Sequence, residues 1–188
     1  GSGFTGTVDV YLDPTTWTTG EGFDYTVALY QANLDHAQDF IFHVGVDANG
    51  DLLINASNNS DFVVNDFKLT NENGGHNYEV TTAGWYTFEH VFRTDGSSAS
   101  GYAVDFNVYD TSGLVYTVAR DVGAAQIPIG IGGHGYGWFT FQDVQAGLEI
   151  DNVTMTCEPV PEPTSIALLG LGLAGFGAAS RRKRKKRE

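Results

Sequence analysis

Apolar and polar residues alternate with a period of two along most of the first 157 positions, and no stretch there carries a convincing helical period. Val8, Val10 and Leu12 alternate with Asp9 and Tyr11, and the run stops at the turn signal Asp13-Pro14. Phe23, Tyr25, Val27 and Leu29 alternate with Asp24, Thr26 and Ala28, giving a second strand. Asn33-Leu34-Asp35-His36 reads as a polar loop with room for one helical turn. Phe40, Phe42, Val44 and Val46 share one side of the next strand, with Ile41 and His43 on the other. Asp47-Ala48-Asn49-Gly50-Asp51 joins it to Leu52-Leu53-Ile54-Asn55, and its Asn-Gly pair predicts a hairpin whose two central residues both take positive φ. A short strand over 62–67 and a Gly/Asn loop over 71–75 are expected to follow.

Trp85 to Arg93 is the clearest strand, with Tyr86, Phe88, His90 and Phe92 on one face. Tyr102 to Tyr109, the turn Asp110-Thr111-Ser112-Gly113 and Leu114 to Ala119 complete a three-stranded meander. After a glycine-rich segment from Gly130 to Gly137, Trp138 to Phe141 returns to strand, and Leu148 to Thr156 closes the domain. Ten to twelve short strands joined by turns predict an all-β, antiparallel two-sheet β-sandwich, with a jelly roll as the expected topology.

Charge narrows the range of partners. Residues 1–157 hold three basic residues (Lys68, Arg93 and Arg120) against twenty acidic ones, a net charge of −17. The remaining seven basic residues all follow Ala179. A surface so acidic repels phosphate backbones and anionic lipid, so nucleic acid is not an expected partner of this domain. Cys157 is the only cysteine, which excludes an intrachain disulfide and leaves the fold to packing alone. Gly1-Ser2-Gly3-Phe4 has neither a basic start nor an apolar run, so the chain is expected to be a mature form or a fragment.

Few motifs carry chemistry. Asp47, Asn49 and Asp51 set oxygen-bearing side chains at alternate positions, as the start of a calcium loop does, but Asn58 stands where an EF-hand needs its glutamate. A hairpin turn without metal is the favoured reading, with Ca2+ as the alternative; no cofactor is expected. The five histidines show no zinc-ligand spacing, and His90 on its aromatic face reads as core. No serine sits in a Gly-x-Ser-x-Gly elbow. His134, Tyr136 and Trp138 alternate within the glycine-rich segment and would project from one side of an extended chain, a candidate ligand-binding row for stacking on sugar rings. The competing reading places Tyr136 and Trp138 in the core.

The meander from Gly84-Trp85-Tyr86 to Val108-Tyr109-Asp110 resembles laminin-G or concanavalin-A-like domains, which implies the jelly-roll sandwich. Glu149-Ile150-Asp151 is similar to the paired carboxylates of glycoside hydrolases on such folds. That motif continues to a second glutamate, and Thr154 stands in its place, so an enzyme is not the expected reading.

The C-terminal thirty residues form three blocks. Val160-Pro161-Glu162-Pro163 comes first, an uncharged apolar run to Ala179 second, and Arg181-Arg182-Lys183-Arg184-Lys185-Lys186-Arg187 last. A helix over the apolar run spans about 22–24 Å at roughly 1.5 Å per residue, a little under the roughly 30 Å hydrocarbon core. Bilayer thinning or snorkelling basic residues would have to close that gap, and by the positive-inside rule the basic residues are expected in the cytoplasm as a stop-transfer block. This order resembles the PEP-CTERM sorting signal of exported bacterial proteins. The resemblance implies an exosortase as processing partner, a membrane partner for the helix, and anchoring in the inner membrane before release to the surface or exterior.

The expected organisation is an acidic sandwich ectodomain at 1–157, a Pro-rich linker with the sorting motif at 158–163, a transmembrane helix at 164–180 and a basic cytoplasmic tail at 181–188. The expected function is that of a non-enzymatic cell-envelope or extracellular-matrix protein, with exopolysaccharide as the candidate ligand. The alternatives are a purely structural surface or biofilm component without a small ligand, and a glycan-active, glycoside hydrolase-like enzyme.

Overall fold

The computed structural model describes residues 3–30, 35–58, 77–95, 101–120 and 133–157. The chain divides into two units, Gly1–Glu158 and Pro159–Glu188. All described residues belong to the first, and the expected strand at 62–67, loop at 71–75, transmembrane helix at 164–180 and basic tail at 181–188 lie outside the described residues. Among the described residues no helix is long and apolar enough to cross a membrane.

Ten strands are described: β1 (Phe4–Leu12), β2 (Gly22–Tyr30), β3 (His36–Val46), β4 (Leu52–Asn58), β5 (Tyr78–Glu79), β6 (Gly84–Thr94), β7 (Tyr102–Asp110), β8 (Gly113–Arg120), β9 (Gly133–Asp143) and β10 (Ile150–Cys157). They form two five-stranded sheets, ordered β10-β1-β6-β7-β8 and β5-β4-β3-β2-β9, and every pairing is antiparallel. We call them sheet A and sheet B. Each holds one meander, β6-β7-β8 in A and β2-β3-β4-β5 in B. The closing strands return to the opening ones, β10 onto β1 and β9 onto β2.

The inward residues of the two sheets form one core. Phe88, His90, Phe92 and Phe106 of sheet A meet Phe23, Tyr25, Phe40 and Phe42 of sheet B. Ring centroids stand 5.1 Å apart for Phe42–Phe88, 5.0 Å for Phe42–Phe106 and 5.2 Å for Phe40–Phe92, all edge to face. That geometry sets positive ring edges against negative faces and adds to the burial of area. No disulfide is needed when so many large side chains are fully enclosed, each worth roughly 1.5–3 kcal/mol of burial.

Three local readings differ from expectation. His36 opens β3 instead of closing a loop. In the β3–β4 hairpin only Gly50 has positive φ (91°), while Asn49 does not. Gly50 N–H donates to the Asp47 carbonyl (3.2 Å) and Asp47 N–H to the Asp51 carbonyl (3.0 Å). This is a turn with one glycine in the left-handed region after it, which needs just one such residue. In β10, Asn152 takes φ 47°, opposite an irregularity between Thr7 and Asp9 of β1. Asparagine tolerates that region, and its Nδ2 donates to Asp9 Oδ2 at 2.7 Å.

Candidate functional site

A cleft of about 250 Å3 is lined by Tyr11, Asp13, Thr16, Trp17, Ala146, Gly147 and Glu149. It forms where the β1–β2 loop meets the β9–β10 loop. Asp13 shapes the first loop: its Oδ1 accepts from Thr15 N–H (2.9 Å) and Thr15 Oγ1 (2.7 Å), an Asx turn that stops β1. The same two bonds hold its carboxyl below the usual carboxylate range. Trp17 then packs edge-on against Phe23, centroids 6.0 Å apart, which fixes the indole at the wall of the cleft.

Glu21 ties the two loops together. Its Oε1 accepts from Gln145 N–H at 2.7 Å, and its Oε2 accepts from Thr18 N–H at 2.5 Å and Thr18 Oγ1 at 2.8 Å. Bonding to Gln145 first, and to Thr18 next, lowers its pKa. On the far side Gly147 turns at φ 80°, and Tyr11 N–H donates to the Glu149 carbonyl at 3.0 Å. Tyr11 carries the site outward, meeting Trp85 edge to face at 5.7 Å, and Trp85 is 41 % exposed. The result is a recess lined by two aromatic side chains and two carboxylates, with Trp85 beside it and no cation among the described residues that line it. Such walls suit stacking against sugar rings with acceptors for hydroxyl or ammonium groups.

Among the sequence-predicted residues whose side chains are described, one lines the cleft. Glu149 lines the cleft; Asp151 does not, and its Oδ1 accepts from Asn152 N–H at 2.8 Å. Glu149 also precedes β10, so the two do not form a pair on one strand face. His134 pairs with Leu29 and Trp138 with Thr26 in the β2–β9 ladder, with a register shift between Val27 and Leu29, and the side chains of His134 and Tyr136 lie outside the described residues. Trp138 is half-buried. Asp47 Oδ1 accepts from Asn49 and Asp51 N–H, and its Oδ2 from Asn49 Nδ2, so the carboxylate caps the turn. Among the described residues no group of three His, Cys, Asp or Glu side chains is placed to hold a metal.

One constellation has no local sequence signal. Across β2, β3 and β4, Asp24 Oδ1 lies 2.7 Å from His43 Nδ1, and His43 Nε2 lies 2.7 Å from Ser57 Oγ. This is the connectivity of a hydrolase triad. However, all three residues are buried, and they stand on paired strands whose backbone N–H groups are engaged in the sheet. A triad needs a reachable serine and free N–H donors at an oxyanion hole. The network here ties three strands together through a buried carboxylate. Spacing of 19 and 14 positions hides it from any motif search.

The fold and cleft define an antiparallel two-sheet β-sandwich with an aromatic, acidic recess at one end. The particular assignment comes from the tail. Residues 159–183 match the PEP-CTERM protein-sorting motif. The match includes Val160, Pro161, Glu162 and Pro163 together with Arg181, Arg182 and Lys183, while Arg184, Lys185, Lys186 and Arg187 follow it. No curated protein and no solved structure matches the chain. The protein is thus an exported, envelope-associated β-sandwich whose C-terminal motif directs it to an exosortase.

Proposed function

We propose that the protein is a non-enzymatic, polysaccharide-binding component of the bacterial envelope or extracellular matrix, with its ligand held at the cleft between the β1–β2 and β9–β10 loops. The observation that carries this reading is the convergence of Tyr11, Trp17, Asp13 and Glu149 on one recess, beside the exposed Trp85. A volume near 250 Å3 is below the roughly 300 Å3 at which closed small-molecule clefts begin, and suits one residue of a long chain passing over the surface. The nested return of β10 onto β1 and β9 onto β2 supports the finer jelly-roll class.

Hydrolysis is less well supported. A glycosidase needs one carboxylic acid kept protonated, and the bonds from Thr15 lower the pKa of Asp13, which disfavours that residue as the acid. In this reading the helix at 164–180 holds the chain in the inner membrane until the exosortase acts. Retention on exopolysaccharide columns and glycan arrays tests the proposal. Tyr11→Ala is expected to lower retention at least about tenfold with the thermal midpoint little changed, whereas Trp17→Ala, which also removes packing on Phe23, should lower both. Absence of binding to every glycan by the parent protein overturns it, and leaves a structural surface component.

A further inference from the structure

We infer that the polysaccharide taken by this cleft bears free amino groups, so that its chemical class is a cationic aminoglycan. The inference rests on the glycan-binding reading and specifies its ligand.

The argument turns on which charges are free. Asp9 is occupied on both oxygens, by Thr87 Oγ1 at 2.5 Å and Asn152 Nδ2 at 2.7 Å. Glu89 engages one oxygen, Oε2, with Asn107 Nδ2 at 2.9 Å and Tyr109 Oη at 3.0 Å, and it does not line the cleft. At the cleft, Asp13 uses only Oδ1 in its turn, and Glu149 is exposed with just its backbone carbonyl engaged. The cleft therefore keeps carboxylate oxygens available on two of its walls.

Cations show the opposite pattern. Arg93 Nε and Nη2 donate to the two oxygens of Asp105 at 2.5 and 2.8 Å, and its Nη1 donates to Asp95 at 2.7 Å. Arg120 is buried and donates to the Ala56 carbonyl. Both arginines among the described residues are thus committed, and neither lines the cleft. A uronate, sulfate or phosphate on a sugar would meet like charge from the described residues that line the cleft, in a domain of net −17. An ammonium group meets two carboxylates and the faces of Tyr11 and Trp17, which attract cations through their ring quadrupoles.

The test compares three hexamers on the full chain by calorimetry at about pH 5.5, where carboxylates are ionised and amines protonated: glucosamine, N-acetylglucosamine and galacturonate. The glucosamine oligomer is expected to bind at least about tenfold more tightly than its N-acetylated counterpart, with an advantage that shrinks as salt rises. Asp13→Asn combined with Glu149→Gln should remove that advantage, and Asn preserves the turn-capping acceptor. Trp17→Ala should weaken both ligands together. Equal affinity for the two glucosamine-type oligomers, insensitive to salt, overturns the amine preference and leaves glycan binding standing. Failure of all three to bind overturns the aminoglycan inference, while the glycan-binding reading falls only if the array and column retention are negative as well. A lysine hexamer that binds as tightly as the glucosamine hexamer, with affinity unmoved by the double variant, overturns the inference by revealing general charge attraction.

Discussion

Sheets A and B share one core, yet their outer faces follow different rules. In β1 and β6 of sheet A burial alternates strictly, with Val8, Val10, Phe88 and Phe92 enclosed and Thr7, Asp9, Thr87 and Glu89 reaching water. In β2, and in β3 from Phe40 onward, both faces are buried. Asp24, Thr26, Ile41, His43, Asn55 and Ser57 lie on the outward side of sheet B, and all are below a tenth exposed. The difference teaches that period-two polarity locates a strand and its two faces but does not say that the polar face is wet. A polar group on a buried face must find partners, and sheet B supplies them laterally, strand to strand. Sheet A makes similar ladders, such as Thr7–Thr154 and Glu89–Asn107, where solvent could replace any one bond.

The largest expected effect comes from breaking the ladder of sheet B. His43→Ala leaves the Asp24 carboxylate and the Ser57 hydroxyl without their shared partner inside a buried face, and should cost about 3–5 kcal/mol. Glu89→Ala on the half-exposed face of sheet A should cost about 1 kcal/mol or less. Urea unfolding of the two variants checks the contrast, and similar losses would erase it.

His90 probes the core between the sheets. It points inward from sheet A among Tyr25, Phe42, Phe92 and Phe106, with ring centroids 4.7–6.2 Å away. Neither ring nitrogen forms a hydrogen bond of normal geometry among the described residues, although the Phe40 carbonyl is near enough to act weakly on it. Burial pushes its pKa down to about 3. Above the unfolded value near 6.5 the ring is neutral in both states, and stability does not depend on it. As pH falls below 6.5 the unfolded chain binds a proton that the folded chain refuses until about pH 3, so stability drops by about 1.4 kcal/mol per pH unit in that window. At pH 4 the loss should approach about 3 kcal/mol. His90→Phe should flatten the stability profile between about pH 6.5 and 4.5, a range above the titration of Asp13 and Glu21, whose lowered carboxyl pKa values matter only in stronger acid.

Two glycines give a smaller, signed comparison. A Cβ on Gly22 of sheet B would overlap the Val44 carbonyl oxygen and lie 2.9 Å from Gly45 Cα, both backbone atoms of β3. Gly22→Ala should therefore cost about 1–3 kcal/mol by prising β2 from β3. A Cβ on Gly6 of sheet A would meet only Met155 Cε and Val27 Cγ2 at 3.5 Å, ordinary contact. Gly6→Ala should be neutral or add up to about 0.5–1 kcal/mol by restricting the unfolded chain. Thermal denaturation of both variants reads the sign.

Much of the architecture was legible because strands announce themselves locally. The runs Val8 to Leu12, Phe23 to Leu29, Phe40 to Val46 and Trp85 to Arg93 each became a strand with the anticipated inward face. The tail was legible for the same reason, as its motif is contiguous. The cleft was not. Tyr11 and Trp17 come from one end of the domain and Glu149 from the other, and Glu149 drew notice only through a neighbour, Asp151, that faces elsewhere. The register shift in the β2–β9 ladder beside His134 was not legible either, because bulges of that kind carry no reliable local signature.

By itself, then, the sequence determined the all-β class, the inward residues of most strands, the acidic charge and the export address. Each of these depends on residues close in the chain, where period, composition or a contiguous motif is sufficient. Tertiary structure decided that sheet B buries its polar side, that Asp24, His43 and Ser57 join across three strands, and that two distant loops clamp together through Glu21 to make an aromatic, acidic recess. Those outcomes depend on strand order and register, which arise only when the chain closes on itself and non-local pairings compete for the same core.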